Sequence, residues 1–119
     1  MNRHEYEEQV LSDCKDWIDE NHEYYSSFES ARDDMELAVT GNDNGSYYCN
    51  SYKAEQAVGG VIFDSSISDL LQFHLGVEGG IPTHRGAETA DVYVRIAIFY
   101  ELSNEIESYF DEVKEALYV

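Results

Sequence analysis

Cations are scarce in this chain. Its 119 residues hold 7 Lys and Arg against 25 Asp and Glu, a formal net charge of -18 at pH 7. A surface of that sign repels DNA, RNA and anionic membranes, so no direct nucleic-acid or membrane partner is expected. Proline is rarer still. With Pro82 alone and no Ser/Gly-rich linker there is no place for a domain boundary, and 1–119 is expected to be a single domain. The two cysteines, Cys14 and Cys49, lack CxxC spacing, which excludes a zinc ribbon or a thioredoxin-like motif. They read as small buried hydrophobes in a reducing compartment. The N-terminal run MNRHEYEEQV has neither an apolar core nor a small-residue cleavage site, and no apolar run approaches the ~20 residues of a membrane span.

Motifs that carry chemistry are also missing. His4, His22, His74 and His84 share no HxH or HExxH spacing. No GxGxxG, GxxxxGK[ST] or GxSxG occurs, so the glycines read as turn and cap residues. Carboxylates are so abundant that no pair stands out as a general acid and base. The expectation is a protein that is not an enzyme and has no cofactor and no metal.

What the chain does have is periodicity. Tyr6, Val10, Cys14, Trp17 and Ile18 recur at spacings of three and four, predicting an amphipathic helix from Asn2 to about His22, with Asn2 and Glu5 forming a capping box. Ser27 or Ser30 caps a second, shorter helix through Arg32, Asp33, Asp34 and Met35, after which Leu37, Ala38, Val39 and Thr40 lean towards strand. The run Thr40 to Tyr47 concentrates residues that tolerate positive φ, between two β-prone stretches, and predicts a small hairpin. Further helical pieces are expected from Asn50 or Ser51 to Gly59-Gly60, and from Asp64 or Ser65 through Ile67, Leu70 and Leu71 to Gly76. The last segment, about Ala87 to Tyr118, carries one apolar stripe. It predicts either a helix of about 45 Å or two helices with a bend near Ser103-Asn104, with Val92 to Leu102 at the centre of the core. The fold expected is a compact, mainly α-helical α+β domain with about four helices and one small β-hairpin.

The acids are not interspersed with lysines. Asp16-Glu20, Asp19-Glu23, Glu101-Glu105, Glu107-Asp111 and Asp111-Glu115 are like-charged at i,i+4, each costing about 0.2 to 0.5 kcal/mol. A solvated surface explains mixed charge well and one-signed helix faces less well. Carboxylates one helical turn apart stand about 5.4 Å from each other, comparable with neighbouring phosphates on a strand. A basic groove built for DNA would release its counterions to either. The residues expected to meet such a groove are Glu8, Asp16, Asp19, Glu20 and Glu23 from the first helix and Asp33, Asp34 and Glu36 from the second. Glu105, Glu107, Asp111, Glu112 and Glu115 join them from the last. Tyr24, Tyr25, Tyr47, Tyr48 and Tyr52 lie near acidic or turn segments and suit an interface. Tyr6, Tyr93 and Tyr100 suit the core.

This acidity, the length, and a terminal helix running Asp91-Val92-Tyr93-Val94-Arg95-Ile96 into acidic Glu105 to Glu115 resemble the Ocr-like phage anti-restriction proteins, which are mostly helical, dimeric DNA mimics. The stretch TGNDNGSY at Thr40 to Tyr47, with Lys53-Ala54-Glu55 and Ala90-Asp91-Val92, looks like small phage and prophage proteins of gut bacteria over roughly Leu37 to Ile106, a likeness that brings no activity with it. In size, charge and lack of catalytic motifs the chain also resembles the anti-CRISPR inhibitors. These resemblances imply an anti-defence inhibitor in the cytoplasm of a bacterial host. Its partner would be a basic nucleic-acid-binding complex, a Cas effector or a restriction enzyme. A homodimer is expected if the apolar stripe of the last helix is left partly exposed. The alternative is a small-molecule or nucleotide-signal binder that uses the Gly-rich loops and tyrosines, although few cations are present to meet an anionic signal.

Overall fold

The computed structural model describes residues 2–41, 65–76 and 86–116. Helix α1, Arg3–Asn21, starts at the expected capping box: Asn2 Oδ1 accepts from the Glu5 amide at 2.9 Å, and Glu5 Oε1 accepts from the Asn2 amide at 3.4 Å. Its face of Tyr6, Val10, Cys14 and Ile18 is buried. A 3-10 turn at His22–Tyr24 follows. The His22 ring lies against α1, its Nδ1 donating to the Ile18 carbonyl at 2.8 Å.

Helix α2, Phe28–Thr40, is capped by Ser27, whose hydroxyl accepts from the Ser30 amide at 3.2 Å. It corrects the expected strand. Leu37 to Thr40 are the last turn of this helix, not the first arm of a hairpin. The β-branched preference of Val39 and Thr40 amounts to a few tenths of a kcal/mol, and burial overrides it. Met35 and Thr40 are buried, Leu37 and Val39 half-buried. The Thr40 hydroxyl donates back to the Glu36 carbonyl at 2.6 Å, so it is satisfied within the helix. Gly41 then ends the helix at φ 86°, a left-handed backbone that a side chain would strain. The rest of the expected hairpin and the helix expected around Ala54 to Val58 lie outside the described residues.

Helix α3 is Ser65–Leu75, closing on Gly76 at φ 67°. The C-terminal segment is two helices, α4 at Gly86–Glu101 and α5 at Ser103–Ala116. Their boundary falls at Leu102, one residue before the expected bend, and the chain keeps helical bonds there: Leu102 donates to Ile98 and accepts from Ile106, both at 3.0 Å.

Among the described residues, the five helices share one hydrophobic core. Helix α4 is its axis: Tyr93, Val94, Ile96, Ala97, Ile98 and Phe99 are buried, and α1, α2 and α3 all pack on it. Among the described residues no strand occurs, so the α+β expectation gives way to an all-helical arrangement. Cys14 is a free thiol at 0% exposure, and burial, helped by the Asp13 charge, pushes it up to about 12. It packs as a hydrophobe. Among the described residues, no helix is long and apolar enough to cross a membrane.

Candidate functional site

Two of the few cations are used inside the bundle. Arg3 reaches Glu7 at 2.7 Å, the Ser66 hydroxyl at 3.1 Å and Glu101 at 3.6 Å, tying α1 to α3 and α4. Arg95 pairs with Asp91 one helical turn before it at 2.7 Å and donates to Gln9 Oε1 at 3.0 Å. Tyr6 donates to Asp91 at 2.6 Å and stacks under the Arg95 guanidinium. With these cations turned to internal partners, the outer acids of α1 and α5 are left largely uncompensated.

Those acids converge at a groove between α1 and α5. Two adjoining hollows, about 290 and 460 Å³, share Leu11, Lys15 and Tyr109 as their floor. Glu8, Asp16 and Asp19 rise on the α1 side, Glu105 and Glu112 on the α5 side. The lining thus holds five carboxylates and one cation, Lys15, whose ammonium sits 5.3 Å from the Tyr109 ring centre. The Tyr109 hydroxyl donates to Asp19 Oδ1 at 2.7 Å. That hydrogen bond, then partial burial and the charges of Asp19, Asp16 and Glu112, hold its proton to higher pH than an ordinary tyrosine.

Five of the expected site residues are therefore brought together: Glu8, Asp16, Asp19, Glu105 and Glu112. Glu20 and Glu23 are exposed but outside the groove lining. Glu107, Asp111 and Glu115 are exposed along a separate i,i+4 row of α5. On α2, Asp33 is exposed beside Arg32 at 3.8 Å, and Asp34 accepts from the Tyr25 hydroxyl at 2.6 Å. Glu36 does not belong to the surface set at all. It is 7% exposed, and desolvation, reinforced by Asp33 and offset by the Tyr100 hydrogen bond and by Arg32, raises its pKa. Tyr109 was not singled out in the sequence. The signal was there in its place beside Ser108 and three residues before Glu112, at the edge of the apolar stripe.

Among the described residues no three His, Cys, Asp or Glu side chains converge as metal ligands. The Gly-rich loops on which a nucleotide-signal binder would rest lie outside the described residues. Comparison with protein-family models, with curated proteins and with solved structures gave no match.

Proposed function

We propose that the chain is a non-enzymatic anti-defence inhibitor of phage type, whose α1–α5 groove stands in for a run of backbone phosphates and occupies the nucleic-acid site of a Cas or restriction complex. The supporting observation is the linear density of charge along the groove. From Glu8 to Asp19 the α1 side runs 11 residues, about 16 Å of helix. One nucleic-acid strand carries a phosphate about every 3.4 Å, so that length corresponds to roughly five nucleotides. Five carboxylates line the groove over this span. Lys15 offsets one of them, so the net density is close to that of one strand and under half that of a duplex. The reading is accordingly a mimic of a single strand's backbone, held rigid by two packed helices.

The test is capture of purified Cas and restriction complexes at about 0.1 M and about 0.5 M salt, with and without competing single-stranded DNA. Capture that salt weakens and DNA competes away supports the mimicry. Two triple variants then locate the surface: Asp16→Lys/Asp19→Lys/Glu112→Lys in the groove, and Glu107→Lys/Asp111→Lys/Glu115→Lys on the separate row. Both change net charge equally, and both should keep their helicity by circular dichroism. Loss of inhibition by the groove triple alone is expected. Equal loss by both would reduce the mechanism to bulk charge, and retained inhibition by the groove triple would end this assignment.

A further inference from the structure

Glu36 sits in a recess that the acidic groove does not include. A cavity of about 270 Å³ lies between α2 and the α4–α5 junction, lined by Arg32, Asp33, Glu36, Tyr100 and Ser103. Glu36 and Tyr100 form its inner part, one buried and one half-buried, and the Tyr100 hydroxyl hydrogen-bonds to the Glu36 carboxyl. Arg32 and Asp33 form its mouth, with side chains 51% and 90% exposed.

A carboxylate offers about four acceptor sites, and one hydroxyl fills one of them. Burying it is costly, and the Tyr100 hydroxyl and the charge of Arg32 offset that cost only in part. Arg32 is the one cation of the lining, and it stands at the rim, with its Nε 3.8 Å from Asp33. The recess is therefore a preformed acceptor with an aromatic wall and a hydroxyl, open towards solvent.

We infer that this recess binds a guanidinium group. A divalent metal ion is a poorer fit, because only two acid side chains line the recess, one of them 90% exposed at its mouth, and among the described residues no three His, Cys, Asp or Glu side chains converge. A guanidinium presents five N–H donors in a flat fork. One edge serves Glu36, another donor serves Ser103, and the flat face lies on Tyr100. The volume suffices, since a cavity of about 150 Å³ already admits benzene. The group has two sources, a free small organic cation or an arginine side chain of a protein partner.

The experiment is an amide-resolved NMR titration of the whole chain at constant ionic strength. The probes are methylguanidinium, the neutral isostere methylurea, and the peptide acetyl-Gly-Arg-Gly-amide. Saturable shifts at Glu36, Tyr100 and Ser103 with methylguanidinium, and none with methylurea, are expected. Glu36→Gln keeps the shape of the side chain and removes its charge, and should weaken binding at least tenfold. Arg32→Ala alters a half-exposed side chain at the rim, so its fold does not depend on the buried carboxyl. Removing the competing guanidinium should tighten binding several-fold. Tighter binding of the peptide than of methylguanidinium makes the ligand a partner's arginine, and the reverse makes it a free cation. No saturable shift, equal binding of methylurea, undiminished binding by Glu36→Gln, or weaker binding by Arg32→Ala overturns the assignment.

Discussion

The Tyr109 hydroxyl on α5 donates to Asp19 on α1 across 2.7 Å, joining residues 90 positions apart in the chain. That bond links the two sides of the acidic groove. It fixes the Asp19 carboxylate, and it places the Tyr109 ring where Lys15 covers it. The groove is thus a feature of the packed bundle and of neither helix alone.

The first prediction concerns that proton. The Asp19 hydrogen bond raises the Tyr109 pKa above the ordinary value of about 10. The folded state therefore holds this proton more tightly than the unfolded chain does. The resulting stability is complete below the ordinary tyrosine pKa and is lost as pH rises through the folded one. In a tyrosine-labelled NMR titration, the resonance missing from Tyr109→Phe should ionise late, and Asp19→Asn should bring it down. An unmoved midpoint in Asp19→Asn would sink the account.

A second prediction follows from Glu36, whose pKa is raised chiefly by desolvation. The neutral acid is the form that suits its site. Its contribution to stability is full below the ordinary glutamate pKa of about 4.3 and is lost as pH rises through the higher folded value. Glu36→Gln, which is neutral at every pH, should raise Tm at pH 7 in the absence of any guanidinium ligand, and the gain should vanish near pH 4. The groups facing Glu36 are Arg32 and Asp33 on its own helix, Tyr100 on α4 and Ser103 on α5. Calorimetry at the two pH values checks it, and a fall in Tm at pH 7 would mean that the charged form is the better satisfied one.

How much of this was legible follows from how local each signal is. The α1 start needs only Asn2 and Glu5, and its buried face needs only period 3.6, so both were readable. Leu37 to Thr40 were misread because intrinsic β preference is weak and the burial that overrides it comes from other helices. Glu36 was misread for a similar reason. It stands among Arg32, Asp33 and Asp34, a run that looks solvated, and its burial depends on Tyr100, far along the chain. At the groove, the acidic rows on α1 and α5 were visible, but which of their members face each other depends on the pairing of the two helices. Three of the last helix's five acids, Glu107, Asp111 and Glu115, fall on a row that the groove does not use.

Ionic strength gives a third prediction. Like-charged i,i+4 pairs on α1 and α5 cost about 0.2 to 0.5 kcal/mol each at low salt. Between about 0.01 and 0.15 M salt the screening length drops from about 30 to about 8 Å. Most of the repulsion crosses exposed surface, whereas Arg3–Glu7 and Arg95–Asp91 are partly buried and screened less. Tm should therefore rise by a few degrees over that range. A flat or falling Tm would mean that the internal ion pairs outweigh the surface repulsion.

The fourth prediction contrasts two phenylalanines. Phe99 is 0% exposed on α4, at the centre of the shared core, while Phe73 on α3 is 80% exposed. Truncating a buried phenylalanine removes its transfer energy and leaves a cavity, about 3 to 5 kcal/mol together. Total stability for a domain is about 5 to 15 kcal/mol. Phe99→Ala should therefore lower Tm by roughly 10 °C or more and at the least stable end should leave the chain unfolded. Phe73→Ala should change stability by less than about 0.5 kcal/mol, because its ring gains little from burial. Urea unfolding monitored by circular dichroism reads both. A large loss from Phe73→Ala would show that its ring is covered in solution, and a small loss from Phe99→Ala would contradict the placement of α4 as the axis of the bundle.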